Sequence, residues 1–574
     1  MKNLEYLIVI AVLAPAITPS LAFGQTVYST GTQGCCDLLD PHYTLVAAPQ
    51  GVTLGNVYSS PLASGCCGSW VTPLPGSWWI DPTGTADWNS PFGNYTYQQA
   101  FTLDGTAGAM LTGEFSSDNQ SCVTLNGGPE QCTLGGGLSY LQYTPFTFTT
   151  GFQVGINSLD FVVYNDGGPT GLEVVVNPEK KLYSFGHGSD GTNPQAGLVS
   201  DAAGNLYGTT NSGGDYGSGT VFELTPTEGG GWTEKVLHSF NNNGSDGANP
   251  QAGLIFDAAG DLYGTTYDGG NNEPCCGGAG TVFELTPNGD GTWTEKVLYD
   301  FIDNGADGTN PVAGLIFDAA GNLYGTTSLG GTYGWGQSSY GDGTVFELTP
   351  SADGTWTEKV LHSFGNGTDG INPGASLIFD ATGDLYGTTT GGGIHDSGTV
   401  FELSPGQGGG WTEKVLHSFN PNGADGASPA GSLIFDAAGN LYGTTSSGGA
   451  YGAGTAFELT RNQDGNWEEP PRLRHFGHDL DGLHPYANLI FDAAGNLYGT
   501  TWAGGGHNQG TVFELTPVGG GRWSEKQVHD FVYGTGGDGQ NPPAALIFDA
   551  AGHLYGTTYQ GGTYNAGTVF EITP

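Results

Sequence analysis

Seven aspartates stand in Asp-Gly pairs at matching places along this chain: Asp190, Asp246, Asp307, Asp369, Asp425, Asp481 and Asp538. Two chemistries suit an aspartate so placed. Its carboxylate accepts from backbone N–H groups and, with the glycine, sets a turn. The Asn-Pro or Ser-Pro that usually follows then holds the chain extended. In the second reading these carboxylates and nearby carbonyls hold calcium, a hard cation that takes about six to eight oxygens. One aspartate per interval does not show that many oxygens converging, so the turn is the first reading and calcium the second.

A second group of residues varies where the rest of the pattern does not. Loops between otherwise constant phrases carry Tyr216, Tyr333 with Trp335, His395 with Asp396, Tyr451, Trp502 with His507, and Tyr564. Variable aromatic loops on a fixed scaffold are where binding usually resides. Tyrosine and tryptophan rings suit sugar faces, and acidic turns beside them accept from hydroxyls. The competing reading is that these loops differ by drift alone. A third set, Tyr183, His238, Tyr299, His362, His417, His475 and His529, interchanges tyrosine and histidine. A catalytic base is not needed seven times, so packing explains this set. Gly-x-Ser-x-Gly, His-Glu-x-x-His and P-loop signatures are all absent from the sequence.

The phrase Leu-Tyr-Gly-Thr-Thr positions all of these. Its tyrosine recurs at Tyr207, Tyr263, Tyr324, Tyr386, Tyr442, Tyr498 and Tyr555. Such a period means tandem units that cannot bury their apolar faces alone. Each unit holds four short runs rich in β-branched and aromatic residues, bounded by Gly, Pro, Asn or Asp. That pattern predicts four antiparallel strands, A to D, and almost no helix. In the second unit strand A is expected over the apolar run Ala252 to Phe256. Asp257-Ala258-Ala259-Gly260-Asp261 suits a tight A–B turn. Seven such units predict a seven-bladed β-propeller over residues 178–574. The last unit ends at Phe570-Glu571-Ile572-Thr573-Pro574 without a Trp-Thr-Glu-Lys strand. Pro178 to Phe185 matches that strand, so residues 178–185 are expected to close the ring.

Residues 1–24 read as a secretory signal, with Lys2, an apolar core from Leu7 to Ala14, and cleavage near Gly24. The expectation is a secreted or extracytoplasmic protein with no direct membrane insertion. Net charge is −44 with only 12 basic residues, which disfavours nucleic acid as a partner. Six cysteines, Cys35, Cys36, Cys66, Cys67, Cys122 and Cys132, precede the repeats. The expected pairing is Cys122–Cys132 plus cross-links between the two Cys-Cys pairs, in an oxidising compartment. Cys275 and Cys276 form a further adjacent pair. Residues 25–177 share no repeat with the rest. Their alternating runs predict a β-sandwich.

Phe115-Ser116-Ser117-Asp118-Asn119-Gln120, Val123-Thr124-Leu125-Asn126-Gly127-Gly128 and Gly155-Ile156-Asn157-Ser158-Leu159-Asp160-Phe161-Val162-Val163 resemble strands of galactose-binding-like jelly rolls. The repeat phrase Tyr-Gly-Thr-Thr…Gly-Gly…Gly-Thr-Val-Phe-Glu-Leu-Thr-Pro resembles the GloVer tandem repeat of secreted bacterial proteins, the choice-of-anchor group. That resemblance implies export and repeats, not a reaction. It is also similar to two-component-regulator and NHL-type propeller repeats, which are more often binding modules than enzymes. The sequence therefore favours an exported, non-catalytic binding protein whose partner is a glycan or an envelope protein, and it needs no cofactor. The alternatives are a secreted lyase or glycosidase with a site at the propeller mouth, and a structural matrix protein. Ligand identity and oligomeric state are not written in the residues.

Overall fold

The computed structural model describes residues 179–573 except 228–230, 271–277, 334–340, 422–424, 463, 465, 470–472, 479–480, 520 and 533–537. Upstream it describes residues 120–132 and strands lying between Leu38 and Val176. The signal segment, Cys35, Cys36, Cys66, Cys67, Cys275, Cys276 and Trp335 lie outside the described residues. Every described element is a β-strand. The chain divides into two compact units, Met1–Asn177 and Pro178–Pro574.

In the first unit, ten strands are hydrogen-bonded in one continuous path. Gly93–Leu103 and Gly155–Asn165 pair along their full lengths. A twisted sheet of that many strands rarely stays flat. The jelly-roll expectation names two facing sheets; the described hydrogen bonding joins all ten strands. Cys122 and Cys132 face each other across a strand pair and form a disulfide. The asparagines of the quoted Leu-Asn-Gly and Gly-x-Asn phrases bond to each other, Asn126 Nδ2 donating to Asn157 Oδ1 at 2.7 Å. Asn126 takes the left-handed backbone conformation (φ 50°) that asparagine tolerates at a turn.

In the second unit, each repeat folds into a sheet of order A-B-C-D. Repeat two shows the pattern: Ile255–Phe256, Leu262–Thr266, Thr281–Pro287 and Trp293–Asp300. Strand A is shorter than the apolar run suggests, because only Ile255 and Phe256 pair with strand B. A small ribbon, Gly247–Ala248 against Asp268–Gly269, has no counterpart among the expected strands. In repeat five this ribbon merges with strand B, and strand D is split into Trp467–Glu468 and Arg474–His475. The A–B turn forms around Asp257, whose Oδ1 accepts from the N–H groups of Ala259 and Asp261.

The repeated phrase recurs because each of its residues has a partner. In repeat two, Leu262 is buried between sheets. The Tyr263 ring packs edge-on against Phe317 and Trp356 of the next sheet, and its hydroxyl donates to Glu284 at 2.6 Å. Gly264 lies under the Phe283 ring. Thr265 donates to the Ala313 carbonyl of the next sheet, and Thr266 bonds Thr281 on strand C. The same threonine link from the seventh sheet, Thr557 to the Ala196 carbonyl, reaches the first. A methyl group on Gly264 would sit 2.6 Å from Phe283 Cζ and 2.9 Å from Leu254 Cδ2. Gly264→Ala is therefore expected to lower stability by about 1–3 kcal/mol through overpacking, read as a lower urea midpoint.

Seven apolar clusters, one at each junction, join every sheet to the next. The cluster containing Leu182, Phe185, Leu206, Phe222, Tyr555 and Val569 joins the seventh sheet to the first. Glu179–Ser184 is the outer strand of that seventh sheet, paired with Thr568–Ile572. The circuit is closed, and the fold is a β-propeller. Successive strand A leads meet around its inner circle: a methyl on Gly253 would lie 3.5 Å from the Gly197 carbonyl, and one on Gly314 3.4 Å from that of Gly253, both ordinary contact distances.

Candidate binding face

Strand direction puts the B–C and D–A loops on one face of the ring. The Asp-Gly turns belong to the D–A loops. Asp246 accepts from the N–H groups of Asn241 and Gly247 and lies 3.2 Å from His238 Nε2, at the end of strand D. Asp307 accepts from Ile302, Gly308 and the Tyr299 hydroxyl. Asp190, Asp369, Asp425 and Asp538 likewise accept from backbone N–H groups; the Tyr183 hydroxyl donates to Asp190 and His362 Nε2 lies 3.2 Å from Asp369, whereas the His417 and His529 rings stand 3.5 and 3.6 Å from Asp425 and Asp538. Among the described residues, no cluster of metal-ligating groups contains two of these aspartates.

Among the described residues, a partner missed in the sequence stands at six of the junctions. The glutamate of the next Trp-Thr-Glu-Lys strand faces the aspartate across two blades. His238, Asp246 and Glu295 bring ligand-type atoms within 4.8 Å of one another, as do His417, Asp425 and Glu469. Burial, with the carboxylate of the turn aspartate adding to it, pushes Glu234, Glu295, Glu358 and Glu413 up to about 7 from the usual 4.5. Glu525 is pushed up to about 7 chiefly by burial, although Arg474 beside it pulls the other way. Arg474 also corrects the recurring histidine set. At this junction Arg474, not His475, takes the position, and its guanidinium bridges Asp481 and Glu525. His475 instead faces the loop, its Nδ1 3.3 Å from the Ala450 N–H.

The B–C loops place their aromatic residues outward. Tyr216 is 60% exposed, Tyr333 43%, Tyr451 53% and Tyr564 51%; in the fourth loop exposed His395 takes the corresponding place, beside Ile394 at 69%. Tyr451 packs beside His478 at 5.2 Å, and Tyr564 beside His187 at 5.7 Å. A cleft of about 370 Å³ is lined by Tyr451, Leu473, Arg474, His475 and His478. His395 and Asp396 do not act as a pair. Asp396 takes a left-handed conformation (φ 54°), and its Oδ1 accepts from Gly392, as Asn508 and Asn565 do in their own loops. His507 Nδ1 lies 3.1 Å from Asp530 Oδ2. Trp502 stands apart from the outer tyrosines, between Tyr486 and Tyr559.

The Gloeobacter/Verrucomicrobia repeat model matches residues 173–338 and 333–570, well over half of the chain. The chain belongs to the Gloeobacter/Verrucomicrobia repeat family. No curated protein matches it. Among solved structures it is similar to a protein described as an oxidoreductase (glucose dehydrogenase) from Thermus thermophilus. Identity is 16%, over 69% of this chain and 99% of that one, with a TM-score of 0.33. It is similar to an α-L-arabinofuranosidase of Clostridium thermocellum at 12% identity, over 49% and 93% of the two chains, TM-score 0.26. It is also similar to Drosophila Semaphorin 1a, extracellular domains 1-2, at 10% identity, over 69% and 88%, TM-score 0.36. Likenesses this shallow carry no argument about activity. Within the matched residues the junction and turn phrases recur from copy to copy, whereas the B–C loops differ between copies. Among the described residues no helix is long and apolar enough to cross a membrane. The Cys122–Cys132 disulfide is consistent with an oxidising, extracytoplasmic setting.

Proposed function

We propose that this protein is an exported, non-catalytic binding protein that presents the B–C and D–A loop face of its propeller to glycans or to an envelope partner. The observation that carries the reading is the set of outward aromatic side chains at equivalent places in separate loops: Tyr216, Tyr333, Tyr451 and Tyr564. Aromatic rings that the fold leaves about half exposed favour recognition over packing. The repeating carboxylates point the same way, since turns and junctions use them. The seven turn aspartates are read as turn-builders rather than calcium ligands, because N–H donors already surround their oxygens.

A glycan array covering neutral and acidic polysaccharides tests this, with the chain from Gln25 onward as the analyte. Replacing the four tyrosines together with serine is expected to reduce binding at least about tenfold while leaving Tm unchanged. Absence of binding to both the array and an envelope fraction would remove the reading.

A further inference from the structure

The seven copies act as controls for one another. Where a position holds small or polar residues in most blades, the fold does not require a large ring there, and an aromatic residue at the remaining copies calls for another reason. The position just after Leu-Tyr-Gly-Thr-Thr is Asn211, Ser328, Thr390 and Ser446 in four blades, but Tyr267, Trp502 and Tyr559 in the others. The position after the D–A proline is Gln195, Gln251, Val312, Gly374, Ala430 and Pro543 in six blades, but Tyr486 in one. Three of these four aromatics gather in one place. Tyr486 meets Trp502 edge-on at 6.1 Å, and Trp502 meets Tyr559 at 5.6 Å with the rings tilted by 43°.

The site lies on the loop face, just outside the inner circle. The residues after the proline in neighbouring blades approach each other there, since a methyl on Gly374 would sit 3.7 Å from Val312 Cγ2. Tyr486 is 42% exposed. A fourth residue gives the cluster a polar edge. Five blades use an asparagine before the proline, and its side-chain amide donates to the residue after the preceding blade's Thr-Thr, as Asn249 does to the Asn211 carbonyl. In the sixth blade His484 takes this place with the same left-handed backbone (φ 58°). Its Nδ1 lies 2.8 Å from the Ser446 carbonyl. A carbonyl accepts, so Nδ1 carries a proton, and in the neutral imidazole Nε2 is then the acceptor. The His484 ring stands 6.5 Å from Tyr486 at a shallow angle of 30°.

We propose that Tyr486, Trp502, Tyr559 and His484 form a binding subsite for a neutral pyranose, an inference that rests on the glycan reading above. A pyranose ring has apolar C–H faces and a rim of hydroxyls. The three aromatic rings supply surface for the faces, and His484 Nε2 accepts from a hydroxyl. None of the four residues carries a fixed positive charge, and the chain carries −44 overall, so an anionic sugar has no counter-charge in this cluster. The outer tyrosines extend the same face over a longer chain.

The test replaces each aromatic with a residue that the fold already uses at that position: Tyr486→Ala, Trp502→Ser and Tyr559→Asn in one protein. Tyr267→Ser is the control. Intrinsic fluorescence is titrated with cellohexaose, xylohexaose, laminarihexaose and chitohexaose. At least one is expected to bind the natural protein, with the triple variant weakened at least tenfold, the control unchanged and all Tm values alike. Binding that survives in the triple variant but is lost on replacing the four outer tyrosines overturns the subsite and leaves the broader reading standing. Binding of acidic polysaccharides alone, or of tetramethylammonium in place of any sugar, also overturns it. If no glycan or envelope component binds, both readings fall.

Discussion

A chain that starts at Gly186 is expected to unfold about 10 °C below one that starts at Pro178. The two differ only by the strand that completes the seventh blade. Without it, Thr568–Ile572 loses a ladder that pairs Lys180 with Glu571 and Tyr183 with Val569. Leu182 and Phe185 vanish from the cluster that joins the last blade to the first. Removing a buried leucine costs about 2–5 kcal/mol and a buried phenylalanine about 3–5. Their sum is comparable to the whole stability of a typical domain. The exposed edge of Thr568–Ile572 would also invite pairing between molecules. Calorimetry of both chains, with light scattering, reads the two effects. Leu182→Ala with Phe185→Ala in the full chain checks that lost packing, and not altered length, is responsible. Equal Tm values for the two truncated chains would mean that the circle does not depend on this strand.

That strand is legible because it copies a phrase found elsewhere in the chain. The same holds for the rest of the ring: Leu-Tyr-Gly-Thr-Thr recurs in sequence because its residues meet equivalent partners in blade after blade, the link from the first threonine to the next blade forming in six of the seven copies. Legibility fails where the partner lies a blade away. Glu295 meets Asp246 only because two repeats stand side by side, and no local window shows that. The error at Arg474 has a different cause. Leu473-Arg474-His475-Phe476 aligns with Leu237-His238-Ser239-Phe240, so the histidine is one residue late. In a strand, one residue is the difference between facing the junction and facing the loop. Strand A reads too long in the sequence because a buried lead to a strand looks the same as the strand itself when both are apolar. The loop face is legible as a region but not as a geometry. Comparing the copies marks Tyr486, Trp502 and Tyr559 as unusual, whereas their gathering in one place shows only in their contacts.

The junction glutamates make the stability of the propeller depend on pH. Glu234, Glu295, Glu358, Glu413 and Glu525 sit at about 7 in the folded protein against 4.5 unfolded. Below about pH 4.5 both states hold these protons, and the contribution to stability is complete. Between about 4.5 and 7 only the folded state keeps them, so the unfolded state binds fewer protons and stability falls as pH rises. Above 7 the contribution is gone. Discounted for partial solvent exposure to ~1 kcal/mol each, the five groups together shift Tm by roughly 6 °C. The protein is therefore expected to melt higher at pH 5 than at pH 8. General repulsion among the chain's many carboxylates predicts the same direction, so the sign alone does not decide the cause. Replacing the five glutamates with glutamine does. Each glutamine keeps the shape but has no proton to lose at its junction. The variant's Tm at pH 8 is expected to rise toward the natural protein's value at pH 5, with most of the difference between the two pH values gone. If the variant keeps the full difference, diffuse charge and not the blade junctions governs how this propeller responds to pH.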